Sequence, residues 1–308
     1  MMRIAVMGGG AMGGIWAARL MQSQQEVSII DVAPNLLTAL KVQGLTVEHA
    51  GQSTTVWPRA TDKPREIGTV DVVFFFVKAQ HTASAAQMAR PLVADTTLVV
   101  SLQNGWGNAD VLAQTYRAEQ IVVGVTYHSG TLLAPGRVGH TGTGATYLGP
   151  YSAGAGLEST RVVSELLAGA GLENTPTMEV KTEIWKKLIL NAATLPTAAL
   201  TTLRAGELGQ HSEMLDLVDT LAAEAVEVAR ARGYKIDLEE RLERIHAVLA
   251  GAGAGKPSML QDVEGRRKTE IEVVNGAVVK AAQEVALEVP LNRACVALIH
   301  GLERSWQR

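Results

Sequence analysis

Lys187 and Asn191 stand four residues apart in the segment Glu183-Ile184-Trp185-Lys186-Lys187-Leu188-Ile189-Leu190-Asn191. On a helix that spacing puts both side chains on one face, ~6 Å apart. A lysine buried against an apolar wall has a lowered pKa and can deliver a proton near neutral pH. By spacing alone an exposed ion pair is the commoner use of such a lysine, and Glu183 lies four residues before it. Further on, Pro257-Ser258-Met259-Leu260-Gln261 reads as a helix start, with Ser258 as cap and Gln261 closing a capping box. The predicted helix runs on through Glu270 to Ile271, and Glu270 follows Arg266 by four residues, an ordinary surface pair by itself. Ser258 and Glu270 would then be ~18 Å apart along the helix. They can serve only opposite ends of one site, Ser258 for a substrate carboxylate and Glu270 for the charged lysine.

A second set of residues lies at the start of the chain. Ile4-Ala5-Val6-Met7 is apolar and reads as a buried strand, and Ile15 to Met21 reads as a helix. Between them stand Gly8, Gly9, Gly10, Ala11, Met12 and Gly13. Gly8-x-Gly10-x-x-Gly13 between strand and helix is the dinucleotide fingerprint: tight turn, close backbone approach to a pyrophosphate, close helix packing. The helix N-terminus adds free N–H groups and a partial positive charge for phosphate. Asp31 ends the next predicted strand, 18 residues after Gly13, where such a fold places the carboxylate that holds the adenosine ribose. A 2′-phosphate there would meet a like charge, so Asp31 favours NADH over NADPH. The alternative is a cap for the helix starting near Pro34. Lys78 and Asn104 follow two further predicted strands and so face the cofactor crevice, a solvated lysine and an Asn-Gly turn being the plainer readings.

The elements that must position these residues are those of an α/β fold. Val70 to Val77 and Thr97 to Leu102 are near-continuous apolar runs, the pattern of strands buried on both faces of a parallel sheet. Residues 44–58 alternate about Ala50-Gly51 and predict a hairpin; residues 121–149 predict further, partly antiparallel strands. Leu157 to Ala168 predicts a helix. From about residue 179 every pattern is helical. The domains are therefore 1–178, a Rossmann dinucleotide-binding domain, and 179–308, an all-α substrate and catalytic domain. Gly251 to Lys256 misses the phosphate-loop pattern at both ends and reads as a connection between helices.

Composition narrows the function classes. A net charge of −3 without a block of like charges gives no support to a nucleic-acid or membrane partner. The single cysteine, Cys295, excludes an internal disulfide and fits a reducing compartment. No apolar run approaches the ~20 residues of a membrane span. A cytoplasmic enzyme with a small-molecule substrate and no metal site is the expectation; a homodimer is left open.

The chain resembles the ketopantoate reductase (2-dehydropantoate 2-reductase) family over essentially its whole length. The matching pieces are the glycine loop, Val77-Lys78-Ala79, Gln103-Asn104-Gly105, Trp185 to Asn191, Ser258-Met259-Leu260-Gln261-Asp262, and Lys268-Thr269-Glu270-Ile271. The resemblance implies a Rossmann domain and a helical domain, with a 2-oxo acid reduced by NAD(P)H in the cleft between them. It implies formation of pantoate from 2-dehydropantoate, in pantothenate biosynthesis. By position, Lys187 is the general acid and Glu270 its carboxylate partner. Asn104, Asn191 and Ser258 orient the substrate or the nicotinamide, and Lys78 lines the cofactor site. Two departures bear on specificity. The family usually carries a second Asn eight residues after the lysine, where Leu195 stands here before Pro196. It also usually has an Arg for the 2′-phosphate of NADPH, where Asp31-Val32 stands here. The rival readings are a dehydrogenase of the β-hydroxyacid or opine type and a non-catalytic dinucleotide-sensing module.

Overall fold

The computed structural model describes residues 1–253 and 255–306. They form two compact units: Met1–Gln103 with Asn108–Val180, and Asn104–Gly107 with the chain from Lys181 onward. In the first unit the chain runs β1 (Arg3–Met7), α1 (Ala11–Gln22), β2 (Glu26–Ile30), α2 (Pro34–Gln43), β3 (Leu45–His49), β4 (Gln52–Val56) and β5 (Arg59–Thr61). It continues through β6 (Val72–Phe75), α3 (Thr82–Ala89), β7 (Leu98–Ser101), α4 (Asn108–Leu112) and β8 (Ile121–Thr126). Then come β9 (Ser129–Ala134), β10 (Arg137–Gly142), β11 (Thr146–Pro150), α5 (Glu158–Gly169) and β12 (Asn174–Pro176).

The main sheet has the order β12-β11-β8-β7-β6-β1-β2-β5, and its six strands from β8 to β5 are parallel. All four residues of β6 are buried, as are Ile4 to Met7 of β1. That is why these strands read as unbroken apolar runs rather than alternating ones. β1 lies between β2 and β6. The strand order reverses there, so the glycine loop leaving β1 sits at the switch point where open α/β sheets bind ligands. The antiparallel pairing of β11 with β8 matches the mixed sheet expected from residues 121–149.

A second sheet, β4-β3-β10-β9, packs on α1. Its β3–β4 hairpin turns at Ala50 and Gly51, both at positive φ (48° and 77°), the conformation a two-residue hairpin turn of the I′ class requires. Closeness to α1 explains Gly14: a Cβ there would stand 3.3 Å from both Leu45 and Val138. His140 on β10 is buried, with Nε2 2.9 Å from Nδ1 of buried His128 and its ring 4.6 Å from that of His49. Burial first, then repulsion from His128, His49 and Arg19, pushes its pKa from 6.5 down to about 4.

The second unit is built on α6 (Val180–Thr201), α7 (Ala205–Leu208), α8 (Ser212–Ala231), α9 (Leu238–Gly251), α10 (Ser258–Glu264), α11 (Asn275–Glu284) and α12 (Pro290–Ser305). Trp185, Leu188, Ile189 and Ala192 of α6 are core residues here, packed among apolar side chains of α8, α9 and α11. The predicted connection at Gly251 to Lys256 joins α9 to α10, although its Ala254 lies outside the described residues.

Two expectations are corrected in this unit. The helix beginning at Ser258 does not reach Glu270; it stops at Glu264. Arg266 takes a left-handed φ of 47°, its N–H donates to Val263 O, and the Arg267 N–H donates to Asp262 O. That pair of bonds is the Schellman closure of a helix end. A 3-10 turn, Ile271–Val273, then leads into α11. Ser258 and Glu270 therefore do not share a helix, and Arg266 and Glu270 are not a helical pair. The capping box also fails: Pro257 is the cap residue, exposed Ser258 is the first helical residue, and the Gln261 amide donates to Lys256 O at 2.9 Å.

Candidate active site

The nucleotide side of the candidate site lies wholly in the first unit. Gly8 turns the chain out of β1 at φ 97°, and a Cβ on Gly13 would stand 1.9 Å from the Gly8 carbonyl oxygen. No side chain other than glycine's hydrogen fits at Gly13. Gly10 differs: a Cβ there meets nothing within 4 Å, and as the N-cap of α1 it offers no side-chain hydrogen bond to the helix. The first turn of α1 also carries no acidic residue. Ala11 and Met12 are half-buried in that turn. The loop thus leaves open space in front of unpaired N–H groups at a positive helix end, which fits a pyrophosphate.

Asp31 does not cap the next helix, since the cap residue of α2 is Ala33 and that cap has no side-chain bond. Its Oδ2 accepts the Gly9 N–H at 2.8 Å and its Oδ1 accepts the Ala33 N–H at 2.9 Å. The carboxylate therefore ties the end of β2 to the glycine loop. Each oxygen keeps a second lone pair for a ribose hydroxyl. Lys78 is half-buried just past β6, and Gln103 donates to the Val77 carbonyl (2.8 Å) and to Thr82 Oγ1 (2.9 Å), fastening the ends of β6 and β7 together.

The candidate proton donor and the groups around it lie in the second unit. Lys186, not Lys187, takes Glu183 as its ion-pair partner, at 2.8 Å. The surface-pair reading of Lys187 thereby falls away. Its ammonium instead donates to Asn104 Oδ1 at 3.0 Å. Burial pulls the Lys187 pKa down from 10.5 to about 8, and the Glu270 carboxylate acts against that shift. Asn191, one turn further along α6, is buried. Leu195, one turn beyond, is half-buried and packs on apolar residues of the helical core, including the cluster of Ala199, Met259, Ile271 and Ile299. The hydroxyl of its neighbour Thr194 donates to Leu190 O at 2.8 Å, so that proton is held within α6. Ser258 lies at the exposed start of α10.

Asn104 reaches Lys187 because residues 104–107 pack as part of the helical unit. Trp106 lays its ring against Trp185 and Tyr234, with centroids 5.6 and 6.0 Å away. Its N–H donates to Val273 O at 2.8 Å. Gly105 is at φ 85°, and a Cβ there would lie 2.3 Å from the same Val273 oxygen. Sequence reasoning found Asn104 but missed Trp106 and Val273, which anchor it. The available signal was the pair of glycines around a tryptophan, a large side chain in an otherwise small-residue turn.

The model of the family described as ketopantoate reductase PanE/ApbA matches residues 4–153, and that of the family's C-terminal region matches residues 179–303. The chain belongs to the ketopantoate reductase family. As a member it is an oxidoreductase acting on CH–OH groups with a pyridine nucleotide. The 2-dehydropantoate 2-reductase of Halobacterium salinarum is 32% identical over 304 residues, covering 98% of this chain and 99% of its own. Among solved structures, D-mandelate dehydrogenase with NADH and anilino(oxo)acetate is 26% identical, covers 99% of each chain and has a TM-score of 0.94. A ketopantoate reductase family protein of Ralstonia eutropha JMP134 is 31% identical, covers 100% of each chain and has a TM-score of 0.88.

Proposed function

We propose that this family member reduces 2-oxo acids to 2-hydroxy acids with NADH, accepting branched-alkyl and aryl 2-oxo acids as readily as 2-dehydropantoate. The observation that carries the reaction type is the ammonium of Lys187, held at 3.0 Å by Asn104 and biased by Glu270, with its pKa at about 8. Gly8 to Gly13 and Asp31 would hold the dinucleotide, with Lys78 beside the strand ends. Bound NADH supplies the hydride that adds to the keto carbon. Lys187 gives its proton to the alkoxide oxygen that results, and its charge stabilises that oxygen as negative charge builds there. Asn104 sets the direction of the ammonium. Asn191 presents a second polar group on the same helix face, and Glu270 keeps the lysine protonated at neutral pH. Ser258, at the start of α10, is the group for the substrate carboxylate.

Two residues set the finer specificity. Asp31 favours the free ribose of NADH. A 2′-phosphate at ~4 Å from it would cost about 4 kcal/mol at an effective dielectric constant of ~20, less what solvent screens. Leu195 stands where the family usually carries a second Asn, so a polar contact is absent there. Its side chain packs in the helical core and is half-buried, and the part left uncovered would give the site an apolar wall in place of a donor. An apolar pocket discriminates added groups weakly, whereas a site built to bond a hydroxyl can reject analogues lacking it by ~10⁴. Support for this choice comes from D-mandelate dehydrogenase, whose solved complex holds NADH and an aryl-bearing oxo acid on a chain of closely similar fold.

The test is a screen of 2-dehydropantoate, its deoxy analogue and phenylglyoxylate against NADH and NADPH, in the wild type and in Leu195→Asn and Asp31→Asn. The expected wild-type ratio of kcat/KM for 2-dehydropantoate over its deoxy analogue is near one and rises in Leu195→Asn. NADH is preferred, and Asp31→Asn narrows the gap. A wild-type preference for 2-dehydropantoate of ~10³ or more would overturn the substrate assignment, and an NADPH preference the cofactor assignment.

A further inference from the structure

Helix α6 carries both Lys187 and Asn191, and it contains Pro196 in its interior. A proline has no N–H, so it leaves the carbonyl four residues earlier without its helical partner. In α6 that carbonyl belongs to Ala192, the residue next to Asn191, and Ala192 is fully buried. The lost donor is replaced from outside the helix. Asn275, the first residue of α11, donates its Nδ2 to Ala192 O at 2.8 Å.

The orientation of the Asn275 amide is set by its surroundings. The same Nδ2 donates to Asn292 Oδ1 at 2.9 Å. Asn292 in turn gives its Nδ2 to Glu224 Oε2 (2.8 Å) and Leu221 O (3.2 Å) on α8, so its oxygen must face Asn275. Glu224 completes the chain by accepting the Leu291 and Asn292 N–H groups at the start of α12, each at 3.0 Å. Both asparagines are fully buried. The Oδ1 of Asn275 has no hydrogen-bond partner among the described residues. Leaving a buried acceptor unpaired is unfavourable, so what the fold retains in this residue is its donor.

The same short segment reaches two other parts of the site. Glu270 acts on Lys187, and Val273 O receives the Trp106 N–H that anchors the Asn104 loop. Residues 270–275 thus act on the lysine by charge, and hydrogen-bond to the loop that holds the lysine and to the break in the helix that carries it.

We propose that Asn275 is a positioning residue for the reduction: its amide stands in for the missing N–H of Pro196 and fixes the helix register of Lys187 and Asn191. This rests on the reading of Lys187 as proton donor. Without the amide, Ala192 O is orphaned in the core and α6 must shift to find another donor. A displacement of ~1 Å at a reacting group can cost ~10²-fold in rate.

The experiment is a double-mutant cycle with Pro196→Ala, which returns an N–H to the position facing Ala192 O. Asn275→Ala alone should lower kcat for 2-oxo acid reduction ~10–100-fold, while the dissociation constant for NADH stays within twofold. In the Pro196→Ala background the same substitution should lower kcat no more than a few-fold, and the double variant should melt higher than Asn275→Ala. Failure of the single variant to fold, with a folded and active double variant, is the extreme form of that result. A double variant no more active and no more stable than Asn275→Ala overturns the proposal. So does a folded Asn275→Ala with wild-type kcat. Lys187→Ala measured in parallel separates the two readings: retained activity there removes the lysine assignment, whatever Asn275 does.

Discussion

The two units put function into different parts of the chain. In the first, the candidate ligand contacts are backbone N–H groups and space left by absent side chains: Gly8 at positive φ, Gly10 facing open space, Gly13 with no room for a Cβ. In the second, the candidate groups are side chains, Lys187, Asn104, Asn191 and Glu270, gathered from three distant stretches of sequence. A backbone site is encoded locally, within one strand–turn–helix. A side-chain site is encoded in packing, here by Trp106 against Trp185 and Tyr234 and by Asn275 against the proline break.

Substitutions can break this contrast in order of severity. Lys187→Ala should lower kcat by ~10²–10⁴, the range for losing a positioned acid, with NADH binding nearly intact. Equal losses in turnover and NADH affinity would show that the two units do not divide the work as described. Gly13→Ala and Gly10→Ala sharpen the comparison within the loop. The Gly13 variant places a Cβ 1.9 Å from backbone and should lose about 1–3 kcal/mol of stability together with dinucleotide affinity. The Gly10 variant has room for its methyl, so its melting temperature should hold while NADH affinity falls. Unchanged affinity in Gly10→Ala would remove that residue from the phosphate site.

A smaller effect concerns His140. Its folded-state pKa of about 4 lies below its ordinary 6.5. Between those values the unfolded chain binds the proton that the folded chain excludes, so stability is lost as the pH falls through that window. The melting temperature should drop from pH 6.5 toward pH 4, and His140→Gln should flatten that slope. An unchanged slope would assign the acid sensitivity to other groups.

How much was legible follows the same division. The strand–loop–helix at residue 3 to residue 22 could be read because glycine spacing and apolar runs are local signals. The β3–β4 hairpin was legible through Ala50-Gly51 for the same reason. The end of α10 was not: its Schellman closure uses Arg266 at φ 47° instead of the glycine that would have marked it, so the sequence pattern reads as helix through to Glu270. Lys187 was found with its face of α6, but its true neighbours were hidden. Glu183 looked like its partner at one spacing and pairs with Lys186 at another. Asn104 was placed at a strand end, while its attachment to the helical unit depends on a tryptophan packing on residues 79 and 128 positions away. The role of Asn275 was invisible because a missing N–H in one helix gives no sign of which distant amide replaces it.

The central claim is that Lys187, with its pKa lowered to about 8 by burial and held up by Glu270, is the proton donor. The pH profile of kcat/KM, measured for 2-oxo acid reduction and for the reverse oxidation in wild type and Glu270→Gln, tests it directly. Reduction needs the ammonium, so it should be level below about pH 8 and decline above it, while oxidation, which needs the neutral amine, should rise through the same pH. Removing the Glu270 charge removes the influence that raises the lysine pKa, so both limbs should move to lower pH in Glu270→Gln. A reduction profile that stays level to pH 10, the range of an ordinary lysine, or limbs unmoved by Glu270→Gln, would contradict the assignment.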